Sequence, residues 1–190
     1  MKVNEFVKKL YEIEKTETVY SWGTFLNKKK NGKLCTDCSG LVKGILWGYP
    51  NNGKYCSNRV TDVNANTIIN KYCSITGTPH SNMPVGSFLW MKGHCGIYIG
   101  NNQVIESTPK WKNGVQITKL SARKWLKYGI LKWLDYGASY DYVAIAKEVV
   151  KGKYGNGHYN RKQALEKNYP GIEYELVRSL VNQYYKKGRW

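Results

Sequence analysis

Val3, Phe6, Val7, Leu10 and Tyr11 recur at the spacing of one helix face, while Lys8, Lys9, Glu12 and Lys15 fall off that stripe. The chain therefore opens on an amphipathic helix. Tyr20-Ser21-Trp22-Gly23-Thr24 is a short aromatic stretch, and the Asn-, Lys- and Gly-rich run to about Lys33 reads as a polar loop. A second helix is expected from near Cys38, with Leu41, Val42, Ile45 and Leu46 as its apolar face and the turn-rich residues 48–53 as its stop. Residues 63–72 carry a weaker helical pattern. After Pro84 the pattern changes to short apolar and alternating runs at 87–91, 94–99, 103–107, 114–118 and 130–134, with Gly100-Asn101-Asn102 as a hairpin turn. A helix first and an antiparallel strand run after it predict an α+β domain in which a helix packs on an antiparallel sheet.

Gly137-Ala138-Ser139 interrupts the pattern. Beyond it, Val143, Ile145, Ala146, Val149 and Val150 form one helical stripe, and Leu176, Val177, Leu180 and Val181 form another. A glycine-rich turn at 152–157 and a short helix at 161–167 separate them. The expected organisation is a domain over 1–136, a linker at 137–141 and a small three-helix bundle over 142–190. A bundle of that size buries a low fraction of its surface. No internal repeat is visible.

Composition narrows the classes. The chain has 190 residues and 26 aromatic side chains, too much apolar surface for a disordered polymer. No run of 18 apolar residues is present, so no membrane insertion is expected. The opening Met1-Lys2-Val3-Asn4-Glu5-Phe6 lacks the apolar region of a secretory signal. Synthesis in a cytoplasm follows as the expectation, and with it five free thiols rather than a disulfide scaffold. The formal net charge of +17 implies attraction to polyanions, either nucleic acid or an anionic wall or membrane surface. Lys28-Lys29-Lys30 is the one basic run, and it reads as a solvated loop.

The strongest chemical signal is Thr36-Asp37-Cys38-Ser39-Gly40-Leu41. A cysteine at the start of a helix meets the positive end of the helix dipole, which favours the nucleophilic thiolate. It needs a base held in orientation. Among His80, His94 and His158, only His94 opens a strand, and Glu106 lies twelve residues on in the partner strand of the expected hairpin. Cys38, His94 and Glu106 thus form a workable nucleophile, base and orienting carboxylate. Cys35-x-x-Cys38 also resembles half a zinc or redox site, but Cys56 and Cys73 stand singly and His94-Cys95 point to opposite faces of a strand. No metal and no cofactor are expected. Cys35, Cys56, Cys73 and Cys95 read as buried or incidental thiols, His80 and His158 as solvated loop residues, and Trp111 and Trp125 as packing.

Asp37-Cys38-Ser39-Gly40-Leu41, then Gly93-His94-Cys95-Gly96-Ile97-Tyr98-Ile99-Gly100-Asn101 and Val104-Ile105-Glu106-Ser107, resemble the NlpC-type, papain-like cysteine peptidases that hydrolyse bacterial peptidoglycan. The resemblance covers about residues 1–136. It implies Cys38 as nucleophile, His94 as base, Glu106 as the orienting residue and Tyr20 as a contributor to the oxyanion site. It also implies Asp37 and Ser39 as substrate-binding residues. Glu106 stands where the family more often has His, and Gly23-Thr24 where it usually has two glycines.

Residues 145–157, with Arg161-Lys162, Leu165, Tyr174, Val177 and Val181-Asn182, resemble the cell-wall-binding repeat of some phage lysozymes. Tyr154 replaces the usual Trp, and Pro170-Gly171 adds an insertion. This second resemblance implies that Gly155, Asn156, Gly157 and Arg161 contact the wall. Together the two imply a phage or prophage endolysin, antimicrobial in effect and a possible homo-oligomer. It would be held in the host bacterial cytoplasm before lysis and would then act on the cell wall, cutting between D-glutamate and the diamino acid of the stem peptide. Cleavage between muramic acid and L-alanine is the alternative bond. A basic nucleic-acid-binding protein or a non-catalytic wall binder remains the alternative class, although no specific nucleic-acid motif is present.

Overall fold

The first helix, α1 (Val3–Glu14), buries Val3, Phe6, Val7, Leu10 and Ile13, the stripe its sequence repeats. In the computed structural model, which describes residues 1–50, 54–137, 142–169, 172 and 174–188, the chain divides into units Met1–Asp135 and Tyr136–Trp190. Backbone bonds from Val3 N–H to the Asp135 carbonyl and from Asp135 N–H to the Met1 carbonyl, both 2.9 Å, join the ends of the first unit.

After α1 come β1 (Thr18–Tyr20), β2 (Phe25–Lys30) and β3 (Lys33–Thr36), a small sheet with β3 in the middle, parallel to β1 and antiparallel to β2. The polar run expected as a loop is therefore half of a hairpin. Its turn is Asn31-Gly32, with φ of 50° and 77°, the left-handed conformation that this residue pair suits. From Asn27 to Lys30 the strand is exposed, so its polar side chains carried no alternation from which a strand is read.

All nine residues of α2 (Cys38–Leu46) are buried. Gly40 and Gly44 make this possible. A Cβ on Gly40 would lie 2.0 Å from the Thr24 carbonyl oxygen, and one on Gly44 would lie 2.3 Å from that of Phe25. The helix thus lies directly on the backbone leading into β2. Lys43, buried on this helix, forms an ion pair with Asp62. Asp62 also accepts a 2.5 Å bond from the Tyr55 hydroxyl.

α3 (Ala65–Lys71) is capped by Asn64, whose side chain accepts from Thr67 N–H at 3.0 Å. β4 (Cys73–Gly77), β5 (Phe88–Met91), β6 (His94–Gly100), β7 (Gln103–Thr108), β8 (Gly114–Lys119) and β9 (Lys127–Leu131) build one antiparallel sheet, in the order β4-β9-β5-β6-β7-β8. β9 begins three residues before the expected 130–134. Its place is set by pairing of Lys127, Tyr128 and Gly129 with β5 rather than by the apolar run. β4 is an edge strand with an exposed middle, and no pattern announced it. α1 and α2 pack on the β6–β8 side of the sheet, over a core that includes Phe6, Leu10, Leu41, Ile45, Ile97 and Ile105. This is the expected α+β arrangement, a helix on an antiparallel sheet.

The second unit contains α4 (Tyr142–Val150), α5 (His158–Asn168) and α6 (Tyr174–Lys187) around Ile145, Ala146, Val149, Leu165, Val177 and Val181. Tyr154, in the turn after α4, is buried. Its hydroxyl lies 2.9 Å from that of Tyr169 and also meets Glu148. His158, expected in a loop, opens α5. Residues 138–141 of the expected linker, 51–53 of the expected helix stop, the 170–171 insertion and the Leu176 side chain lie outside the described residues.

Replacing Gly40 with Ala should cost about 3 kcal/mol of stability, since the added methyl meets backbone rather than a mobile side chain. Urea unfolding of the full chain measures this. A loss below about 0.5 kcal/mol would mean that the helix does not rest on the Thr24 backbone.

Candidate active site

Asp37 is the N-cap of α2. Its Oδ1 accepts from Gly40 N–H at 2.6 Å, a satisfied first-turn donor. Its Oδ2 accepts from Gly23 N–H at 2.9 Å, and its own N–H donates to the Thr24 carbonyl at 2.9 Å. The cap therefore fastens the 21–24 turn to the helix start and places Cys38 at the first helical position. Cys38 is only 6% exposed, yet it lines a groove of about 320 Å³. Trp22, 80% exposed, stands on that groove's wall with Asp37, Ser39, Lys43 and Asp62. The Ser39 hydroxyl donates to Asp37 Oδ1 at 3.2 Å. Asp37 and Ser39 therefore border the groove with their polar atoms already engaged with each other and with the backbone.

His94 opens β6 directly after the Lys92-Gly93 turn. Its Nε2 lies 2.6 Å from Glu106 Oε2 on β7. The two are not directly opposite. The Ile97↔Ile105 register continues to Gly96 across from Glu106, so His94 reaches its partner diagonally. Gly96 keeps that route open, because a Cβ there would lie 2.6 Å from Val104, 3.2 Å from Trp125 and 3.3 Å from the Glu106 Cβ. Ser107 Oγ donates to the Thr36 carbonyl at 2.9 Å and so ties β7 to the strand that precedes Cys38.

Glu106 is fully buried and held from three sides. Besides His94, Thr118 Oγ1 donates to Oε1 at 2.6 Å and Arg123 Nε donates to Oε2 at 2.6 Å. Arg123 Nη2 continues to Thr108 Oγ1 at 2.9 Å, and its guanidinium lies 4.9 Å from the Trp111 ring centroid. Trp125 stacks on the His94 ring, with centroids 5.8 Å apart and planes 19° apart.

With Nε2 taken by Glu106, Nδ1 is the ring nitrogen left for Cys38, with which His94 interacts. The electrostatics follow from this grouping. A hydrogen bond from the Cys95 thiol, together with the bond and charge of His94, lowers Cys38 to a pKa of about 5 against the opposing effects of burial and Asp37. Burial pushes His94 down, but Cys38 and Glu106 outweigh it and hold the imidazolium above its ordinary range. Burial likewise works against ionised Glu106, yet His94, Thr118 and Arg123 keep its pKa low. Cys95, fully buried beside a thiolate, is pushed well up and stays a thiol. Burial first, then the charges of Cys38, Asp37 and Cys95, raise Tyr20 to about 12, so it stays a phenol at the end of β1. The grouping favours a Cys38 thiolate beside a His94 ring whose charged form is stabilised, an arrangement suited to a cysteine nucleophile.

Residues 17–133 match the NlpC/P60 family. The chain belongs to that family. Residues 143–184 match the CW_7 repeat. The chain resembles NlpC2 from Trichomonas vaginalis at 16% identity and a TM-score of 0.47 over 68% of its own length, spanning 46% of that chain. It also resembles the NlpC/p60 domain of peptidoglycan hydrolase SagA, at 16% identity and a TM-score of 0.43, over 69% of this chain and 100% of that one. No curated protein sequence matches it.

Within this NlpC/P60 unit, the residues the motif reading missed are Thr118, Arg123, Trp125 and Cys95. Thr118 sits on β8 beside the Glu106↔Gln116 pair, so a correct strand register would have found it. Arg123 follows the single 3₁₀ turn Leu120–Ala122, in a connector too short to carry a strand or helix period in its sequence. Cys95 is buried, as expected, and its thiol is also the largest influence lowering the Cys38 pKa, whereas Cys56 is exposed. Cys35 is buried, with its thiol 3.8 Å from the Lys33 carbonyl. Among the described residues, no three His, Cys, Asp or Glu side chains gather as a metal site, and no helix is long and apolar enough to cross a membrane.

In the CW_7 unit, Gly155 and Gly157 adopt φ of 72° and 85°, and Arg161 Nη2 donates back to the Gly155 carbonyl at 3.3 Å. Gly157, His158, Arg161, Tyr174, Arg178 and Asn182 line a pocket of about 130 Å³, while Asn156 is exposed in the turn. Arg161 Nε is buried there with no hydrogen-bond partner among the described residues.

The rate of Cys38 alkylation by iodoacetamide should rise through a midpoint near pH 5. In His94→Ala the midpoint should move up towards the ordinary thiol range. A wild-type midpoint above about 8 would contradict the ion pair.

Proposed function

We propose that the chain is a peptidoglycan hydrolase that cuts an amide bond in the peptide part of the polymer. The observation that carries this reading is the Cys38–His94–Glu106 grouping, with Cys38 on the wall of a groove, in an NlpC/P60 unit. The Cys38 thiolate attacks the carbonyl carbon, and the oxyanion is held by the Cys38 backbone N–H, a first-turn donor without an intrahelical acceptor, with the Tyr20 phenol beside it. The His94 imidazolium gives its proton to the leaving amine. Neutral His94 then takes a proton from water, which attacks the thioester and releases the carboxylate product and the thiolate. Glu106 fixes the ring so that Nδ1 serves every step.

The favoured bond joins D-glutamate to the diamino acid, with muramoyl–L-alanine as the alternative. Residues 1–136 would form the catalytic domain, 137–141 a linker and 142–190 a wall-binding domain. The pocket of the CW_7 unit supports wall binding. It offers His158, Arg161 and Arg178 around a guanidinium nitrogen that lacks a partner among the described residues, a setting suited to the carboxylates and amides of a muropeptide. The +17 charge would draw the protein to an anionic wall. The pairing of such a hydrolase with a repeat like that of phage lysozymes supports an endolysin of phage or prophage type, made in the host cytoplasm and acting at lysis.

Purified walls incubated with the protein should release soluble muropeptides, and Cys38→Ala should release none while keeping wild-type unfolding behaviour. Product masses separate the two bonds, because only the muramoyl cut frees the L-alanine amine on an intact stem peptide. Absence of any release by the wild type, with binding to DNA that falls steeply with salt, would favour the nucleic-acid reading. Arg161→Ala should weaken sedimentation with walls about tenfold while leaving hydrolysis of soluble fragments unchanged. Equal loss of both would count against a separate binding function.

A further inference from the structure

The stretch between β8 and β9 does more for the His94–Glu106 pair than link two strands. From this one stretch Arg123 binds the carboxylate and Trp125 covers the imidazole face. Arg123 is itself largely buried, and it is fixed by Thr108 and by the Trp111 ring as well as by Glu106. A buried carboxylate with an arginine at 2.6 Å has its charge balanced before the histidine ionises.

We propose that Arg123 is a positioning residue that converts Glu106 from an anionic partner of His94 into a charge-balanced hydrogen-bond acceptor, and so sets the pH at which the imidazolium gives up its proton. This rests on the catalytic reading of Cys38 and His94. It gives a physical reason for a carboxylate in this place: with the arginine bound, the Glu–Arg unit offers His94 an acceptor oxygen with little net charge. The other groups that bear on the ring come from every side. Cys38 at the start of α2 acts on it directly, Asp37 and Cys95 act on Cys38, Tyr20 on β1 is coupled to Cys38, Lys43 acts on Cys95, and Thr118 on β8 acts on Glu106. Among the described residues, Arg123 is the one ion-pair partner of Glu106 besides His94 itself.

The sign of the effect follows. Removing the guanidinium leaves Glu106 ionised against His94 alone, so the imidazolium is stabilised and its titration moves up. In Arg123→Gln the His94 signal, one of three histidines, should titrate about one pH unit higher by NMR, and the alkaline limb of wall hydrolysis should rise with it. Arg123→Lys should restore the wild-type titration. The double variant Glu106→Gln with Arg123→Gln, neutral at both places, should titrate closer to wild type than Arg123→Gln does.

An unchanged or lowered His94 titration in Arg123→Gln overturns the proposal, and so does a double variant no closer to wild type. Should Arg123→Gln fail to fold, the comparison of the double variant with wild type decides it, and a difference of more than about one unit overturns it. NMR reads the ring without substrate. A shifted titration in a protein that leaves walls intact would therefore keep this inference and sink the hydrolase reading.

Discussion

The carboxylate of Asp37 is the joint on which the rest of the NlpC/P60 unit turns. One oxygen closes the first turn of α2, and the other holds the Gly23 amide. Without that double attachment the 21–24 turn and the helix start would be independent pieces, and Cys38 would have no fixed direction. Helix capping alone is worth only about 1 kcal/mol. Its consequence here is geometric. The cap brings the backbone of Thr24 and Phe25 against α2 so closely that positions 40 and 44 admit glycine alone. Asp37 therefore serves the chemistry by architecture, and its nearness to the thiol is a small cost in charge that the Cys95 thiol and His94 outweigh.

That rigidity on the thiol side is matched on the imidazole side by a different device. A strand pair alone would leave His94 free to swing, because its partner is diagonal rather than opposite. Gly96 opens the diagonal, Glu106 takes Nε2, and Trp125 closes one face of the ring. Burial of Glu106 is tolerable only because every approach to its oxygens ends in a donor. The two halves then meet through the bond between Ser107 and the Thr36 carbonyl, which joins the strand paired with that of His94 to the strand that precedes Cys38.

Much of this was legible in the residues. The stripe of α1, the helix beginning at Cys38, the β6–β7 hairpin and the grouping of Cys38, His94 and Glu106 all rest on local period or on motif spacing, and local signals survive folding. What escaped notice had no local signature. β2 shows solvent a run of lysines, so its polarity read as a loop. β9 takes its bounds from β5 and not from its own apolar run. Arg123 lies in an aperiodic connector and finds Glu106 only because the sheet folds that connector back. Cys95 looked like one more strand residue, and its value comes from the sulfur that α2 brings to it.

The charge distribution carries the argument one step further. The chain has more than two basic residues for each acidic one, yet the two carboxylates nearest Cys38 and His94 are the buried acidic groups among the described residues. Each is compensated locally, Asp37 by backbone amides and Glu106 by Arg123, Thr118 and His94. The field at the sulfur is therefore set by these fixed short contacts, while the surface charge, screened beyond about 8–10 Å in ordinary salt, is free to serve attraction to a polyanion. On the hydrolase reading, added salt should act on encounter with the wall far more than on the reactivity of the thiolate. The two demands, adhesion and chemistry, are met by charges that scarcely sense each other.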